Sequence, residues 1–236
     1  MKPSAKQNIR LLDEVYTSTM LIKKGFVELQ KISGGNDFYH PPILLLSNGF
    51  ERLMKCIICY RHLKVKNIYP PIDVFKKASH NLNILLKDII QICSELKSYK
   101  DREATRQDLD FLMNNARLHR IVEILSDFAQ GGRYYNLDIV CKGNSTYSDP
   151  KDNWEELETE IVKEDPKITE LMKDPTKSDE MYQRINMILM KYLERFARAL
   201  SRIFTLGEIH KDAKKCYSYI SDFLNLRDND LGIKRW

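Results

Sequence analysis

Glycine and proline are scarce, nine and eight in 236 residues. That scarcity excludes a sandwich of many short strands joined by tight turns and points to long uninterrupted elements. No apolar run approaches the roughly 18 residues of a membrane span. Residues 1–30 are charged and periodic, without the apolar block of a signal peptide. The expectation is a cytoplasmic protein that does not engage a membrane. Cysteine is sparse and odd in number (Cys56, Cys59, Cys93, Cys141 and Cys216), too thin to staple a chain of this length and suited to a reducing compartment.

Familiar catalytic spacings are also missing. The five histidines (His40, His62, His80, His119 and His210) include no i, i+4 pair and no Glu-x-x-His, which argues against a helical di-metal carboxylate site. There is no Gly-x-Ser-x-Gly elbow. Gly131-Gly132-Arg133 lacks the Lys-Ser/Thr of a phosphate loop. Cys56-Ile57-Ile58-Cys59 has no second pair to complete a zinc site, and it sits inside an apolar stretch between Met54 and Tyr60. Its cysteines read as small core residues. No metal, no cofactor and no catalytic residue is assigned.

What is present is 43% hydrophobic and 30% charged residues, enough for a large core and a solvated surface. The net charge of +5 is unevenly spread: residues 149–180 hold 12 acidic side chains and 5 lysines, a net of −7, leaving +12 on the rest. A basic body beside an acidic insert suits an anionic partner or internal pairing. Helical periodicity runs over about 6–32, 43–65, 73–99 with a bend near Ser79-His80-Asn81, 106–129, 154–172 broken at Pro166, 179–205 with Ser178 as N-cap, and 209–226. Residues 133–142 read as a short extended piece or a helix start. The fold class is all-α, an antiparallel bundle of about six or seven helices forming one domain over 1–236.

Three clusters carry the candidate chemistry. On the 179–205 helix, Arg184, Lys191, Arg195, Arg198 and Arg202 fall within about 60° at 100° per residue, a cationic strip beside an apolar face. It reads as a phosphate-tracking ridge, as a solvated face, or as the partner of the acidic insert. The second cluster is Asn48-Gly49-Phe50-Glu51-Arg52-Leu53-Met54-Lys55, in which Glu51 and Lys55 form a favourable i, i+4 pair. The third is Gly132-Arg133-Tyr134-Tyr135-Asn136-Leu137-Asp138. It can hold a nucleotide by charge and stacking, or act as a latch in which Arg133 pairs with Glu51 or Asp138.

In order, Asn48–Lys55, then Ser79-His80-Asn81-Leu82-Asn83-Ile84-Leu85, then Gly132-Arg133-Tyr134-Tyr135 resemble the HEPN (higher eukaryotes and prokaryotes nucleotide-binding) superfamily over about 43–140. The resemblance implies a HEPN-like antiparallel four-helix core there; charge and periodicity set beside it the acidic insert at about 149–180 and a C-terminal helical pair at about 181–226. It also implies a homodimer, and as partner RNA, a nucleotide or a cognate protein of toxin–antitoxin or phage-defence type. Many members are metal-independent ribonucleases that use an Arg followed after four to six residues by His. Here Tyr-Tyr-Asn-Leu-Asp follows Arg133 with no His in range, and Arg202 and His210 are too far apart. Arg133-Tyr134 is similar to the Arg-Tyr-Pro form of non-nucleolytic members, with Asn136 and Asp138 in the later positions. The expectation is a non-catalytic binding protein whose site is Arg133, Tyr134, Asn136 and Asp138, with Glu51, Arg52 and His80 beside them. The alternatives are a divergent ribonuclease using Arg133 with Asp138 or a distant His, and a purely structural or interaction module.

Overall fold

The computed structural model describes residues 3–76 and 78–236. They form twelve α-helices and no named strand, the only β pairing being an isolated bridge between Ser33 and Asn36. The all-α expectation holds, but twelve helices replace the six or seven read from periodicity. The surplus arises where local caps break predicted continuous helices.

Helix α1 (Ala5–Leu29) starts at a capping box: Ser4 Oγ accepts from the Gln7 amide, and Gln7 returns the bond to the Ser4 amide. Helix α2 (His40–Lys66) opens on Pro41 and Pro42, which tolerate the unpaired first turn, and closes at Asn67 in the left-handed region. The two run antiparallel, with Gly49 facing Ile22 and Ser18 while Arg52 reaches back to Glu14. A Cβ on Gly49 would stand 2.9 Å from the Ile22 backbone nitrogen, so this glycine sets how closely the helices approach.

The predicted 73–99 helix is three pieces: α3 (Asp73–Lys76), α4 (Leu82–Glu95) and α5 (Lys97–Asp101). Ser79 takes a φ of 43° and Asn81 caps α4 by accepting from the Ile84 amide. The Glu208 carboxylate receives the Lys97 and Ser98 amides at 2.7 and 3.0 Å, which starts α5 afresh. The predicted 106–129 helix likewise divides into α6 (Glu103–Asn114) and α7 (Ala116–Gln130), because Asn115 caps α7. Residues 132–134 make a 3-10 turn into α8 (Tyr135–Lys142), resolving the open choice there in favour of helix.

The acidic insert is α9 (Pro150–Glu164) and α10 (Pro166–Leu171), broken at Pro166 as the sequence suggests. It is held on the bundle by Trp154, Leu157, Ile161 and Ile168, all buried. Arg117 on α7 pairs with Glu160 and Glu164, and Arg120 with Glu156. Helix α11 (Ser178–Thr205) begins at Ser178 itself, with Lys177 in the cap position, because Asp174 caps the preceding 3-10 turn instead. The last predicted helix is a 3-10 turn over Lys211–Cys216 followed by α12 (Tyr217–Leu224).

Helix α11 is the hub. It packs on α1, α2, α6, α7, α9, α10 and α12, and its Phe196 ring stacks on Phe50 of α2 at 4.7 Å. Its buried Glu194 accepts from the Gly232 amide and from the Trp236 indole, both at 2.6 Å, tying the chain's last residues to the core. Among the described residues no helix is long and apolar enough to cross a membrane.

Candidate functional site: a cleft at Arg133 and His40

Helix α7 ends at Gly131, and the 3-10 turn that follows swings Arg133 back toward the start of α2. Gly132 lets α9 approach this turn: a Cβ there would meet the Asp127 carbonyl at 3.2 Å and Pro150 at 3.3 Å. The result is a cleft of about 200 Å³ between the first turns of α2, α8 and α9. It is lined by Phe38 and His40 from the start of α2, by Arg133, Tyr135 and Asn136 from the turn into α8, by Asp149 and Lys151 from the start of α9, and by Ile43 and the buried Phe128. The His40 imidazole stacks on Phe38 at 6.3 Å and meets Phe128 edge-on at 5.0 Å.

The charges around the cleft are unequally committed. Lys151 pairs with Asp37 at 2.5 Å, and Asp149 accepts from the Lys151 amide as the α9 cap. The Arg133 guanidinium lies 5.1 Å from the Tyr134 ring centroid and forms no ion pair among the described residues, and its Nε is buried without a partner. The helix N-termini that converge here add partial positive charge. The arrangement suits an anionic group with a flat ring beside it.

Beside the cleft lies a group the sequence reading missed. Tyr39, next to His40, donates its hydroxyl to Glu158 of α9 at 2.9 Å. Glu158 is buried, its other oxygen has no partner among the described residues, and burial pushes its carboxyl up to about 7. Nothing local marks Glu158 among its acidic neighbours except its place on the apolar face of α9 with Trp154 and Ile161.

The expected site does not assemble as one. Asn136 lines the cleft, and Tyr134 is exposed beside it. Asp138 turns away to pair with Lys142 at 2.7 Å. Glu51 is about 16 Å further along α2, three helical turns from His40. There it accepts from Lys55 at 2.5 Å and meets His80 Nδ1 at 3.1 Å. Lys55 also donates to the Ser79 carbonyl, so this cluster pins the turn before α4 to the middle of α2. Arg52 faces Glu14 on the other side of α2. Arg133 therefore pairs with neither Glu51 nor Asp138, and the proposed latch is not formed.

The cationic strip of α11 also divides. Arg184 pairs with Asp165 of the acidic insert. Lys191, Arg195, Arg198 and Arg202 instead line a groove against α6 and residues 228–231. Arg198 is only 8% exposed, while Lys191 stands in solvent, so the strip runs from buried to exposed. Cys56 and Cys216 are buried, and burial pushes the Cys59 and Cys216 thiols up to about 12 and 11, which makes them poor nucleophiles. Among the described residues no three His, Cys, Asp or Glu side chains gather as a metal site requires.

No family model, curated protein or solved structure matches this chain. Of the cleft residues, Arg133 and Asn136 were legible as a motif. His40, Phe38 and Lys151 were not, because they arrive from segments far away in sequence.

Proposed function

We propose that the chain is a HEPN-like helical protein that binds RNA or a nucleotide at the Arg133 cleft. The observation that carries the reading is an Arg133 guanidinium without a carboxylate partner among the described residues, lining one small cleft together with the stacked Phe38–His40 pair. Arginine supplies a fork for phosphate, and the aromatic pair supplies a stacking surface. The volume of about 200 Å³ is below the range of whole small-molecule sites. The cleft therefore grips one nucleotide unit, free or within a strand. Helix α8 buries none of its residues and leaves Leu137 and Val140 in solvent beside the cleft, a surface that suits a second copy or a cognate protein.

Fluorescence anisotropy with a labelled oligoribonucleotide, competed by mononucleotides, tests this. Arg133→Ala lowers affinity by about tenfold or more while the melting temperature stays within about 2 °C, since an arginine that forms no ion pair holds little together. Absence of binding by the wild type removes the proposal. A large drop in melting temperature for Arg133→Ala returns it to a structural role.

One observation favours a second reading, a divergent metal-independent ribonuclease. His40 brings to Arg133 the imidazole that the residues after Arg133 lack, and imidazole is the usual proton carrier for attack by a 2′-hydroxyl. Cleavage of RNA in the presence of a chelator, abolished by His40→Ala, decides for this reading. Intact RNA decides for binding alone.

A further inference from the structure

We propose that the groove between α11, α6 and residues 228–231 is a site for a small oligophosphate, two or three linked phosphates either free or as the tail of a nucleotide. This site is separate from the Arg133 cleft and does not rest on the reading given for it. Lys191, Arg195, Arg198 and Arg202 line a single recess of about 550 Å³ together with Asp108 and Asp228. Four cations against two carboxylates leave two positive charges in one cavity.

The two carboxylates are not equivalent. Asp108 is 2% exposed and locked to Arg202, which also donates to the Ala104 carbonyl. That pair is part of the wall. Asp228 sits at the mouth with its side chain 81% exposed and meets Arg198 Nη2 at 2.6 Å, while Nη1 donates to the Leu226 carbonyl. Arg198 itself is buried. A buried guanidinium held by a carboxylate that stands in water is a pair whose anion is exchangeable. Asp228 occupies the position an incoming oxyanion takes, and a phosphate with two charges and three acceptor oxygens outcompetes one carboxylate.

The remaining two cations are uncommitted. Arg195 lies 4.2 Å over the Phe111 ring, which orients its guanidinium without neutralising it, and Lys191 is exposed. Neither forms an ion pair among the described residues. Lys191, Arg195 and Arg198 follow one another along α11 at steps of about 6 and 4.5 Å, so linked phosphates can meet them in turn. The recess favours a compact ligand over a nucleic-acid strand, because Arg198 is buried and its outward partner is a single exposed carboxylate, Asp228.

Isothermal titration calorimetry with tripolyphosphate, ATP and a single-stranded oligoribonucleotide, at matched ionic strength with sulfate as control, tests the assignment. Tripolyphosphate binds and sulfate does not. The double variant Lys191→Gln, Arg195→Gln weakens binding by about tenfold or more. Asp228→Asn, which removes the competing anion, tightens binding several-fold, a gain that a merely misfolded variant does not produce. Each titration is repeated on Arg133→Ala, and the binding that persists there is the recess's own. ATP matching tripolyphosphate identifies a nucleotide tail as an acceptable source, and ATP binding much more weakly identifies free oligophosphate. No binding of either, equal binding of sulfate, loss on Arg133→Ala, or binding of the oligoribonucleotide alone through Lys191 and Arg195 overturns the proposal.

Discussion

Replacing Glu158 by glutamine makes the protein more stable above neutral pH and leaves it nearly unchanged in acid. Glu158 is buried on α9, accepts one hydrogen bond from Tyr39, and forms no ion pair among the described residues. Burial raises its carboxyl from near 4.5 to about 7. The folded protein therefore holds a proton between those values that the unfolded chain has released, and stability falls as pH rises through this window. A rise of this size corresponds to about 3 kcal/mol above pH 7, at 1.36 kcal/mol per pH unit. Glutamine keeps the acceptor for Tyr39 and removes the charge. Denaturant unfolding at pH 5 and pH 8 measures the gap between variant and wild type. It is under about 1 kcal/mol at pH 5 and grows to about 3 kcal/mol at pH 8. For a chain of this size that is roughly 6–12 °C in melting temperature. Parallel stability curves for the two proteins between pH 5 and pH 8 would refute the reasoning, as would a glutamine variant less stable than wild type at pH 8.

Other perturbations follow from particular contacts. Gly49→Ala places a methyl against the Ile22 backbone and costs about 1–3 kcal/mol by forcing α1 and α2 apart, read as a shift in denaturant midpoint. Asp108→Ala leaves Arg202 without its buried partner and lowers stability by about 3–5 kcal/mol, read by thermal melting. Glu208→Ala removes the acceptor of the Lys97 and Ser98 amides and costs about 1–2 kcal/mol, with faster amide exchange confined to α5. Glu51→Ala releases Lys55 and His80 together, and hydrogen exchange then rises in the turn before α4 while the Arg133 cleft keeps its protection.

How far the sequence speaks for the structure differs from residue to residue. The break at Pro166 was legible because proline chemistry acts within one turn, whereas the capping box at Ser4 was not part of the reading. The bend read near Ser79-His80-Asn81 marks a real break, capped by Asn81, whereas at Asn115 the apolar period continues across the cap and conceals the break. Periodicity reports which side is apolar and is blind to a one-residue interruption that preserves phase. Arg133 and Asn136 stood out as a motif after a helix stop. Their partner His40 did not, since its place depends on how α2 and α7 meet. The α11 strip was legible as a strip. Its division into Arg184 facing Asp165 and a groove closed by Asp108 and Asp228 was not, because those acids come from three different segments.

The position of α11 also has a consequence for the order in which the protein is made. Phe50 finds its stacking partner Phe196 on a helix that begins only at residue 178. While the ribosome is still adding the acidic insert, α1, α2, α6 and α7 have emerged with their shared apolar faces open, and each waits for the same late arrival. The first three quarters of the chain is thus a set of half-finished layers with exposed aromatic surface, a species prone to self-association. Synthesis of the final quarter is the event that turns these layers into one core.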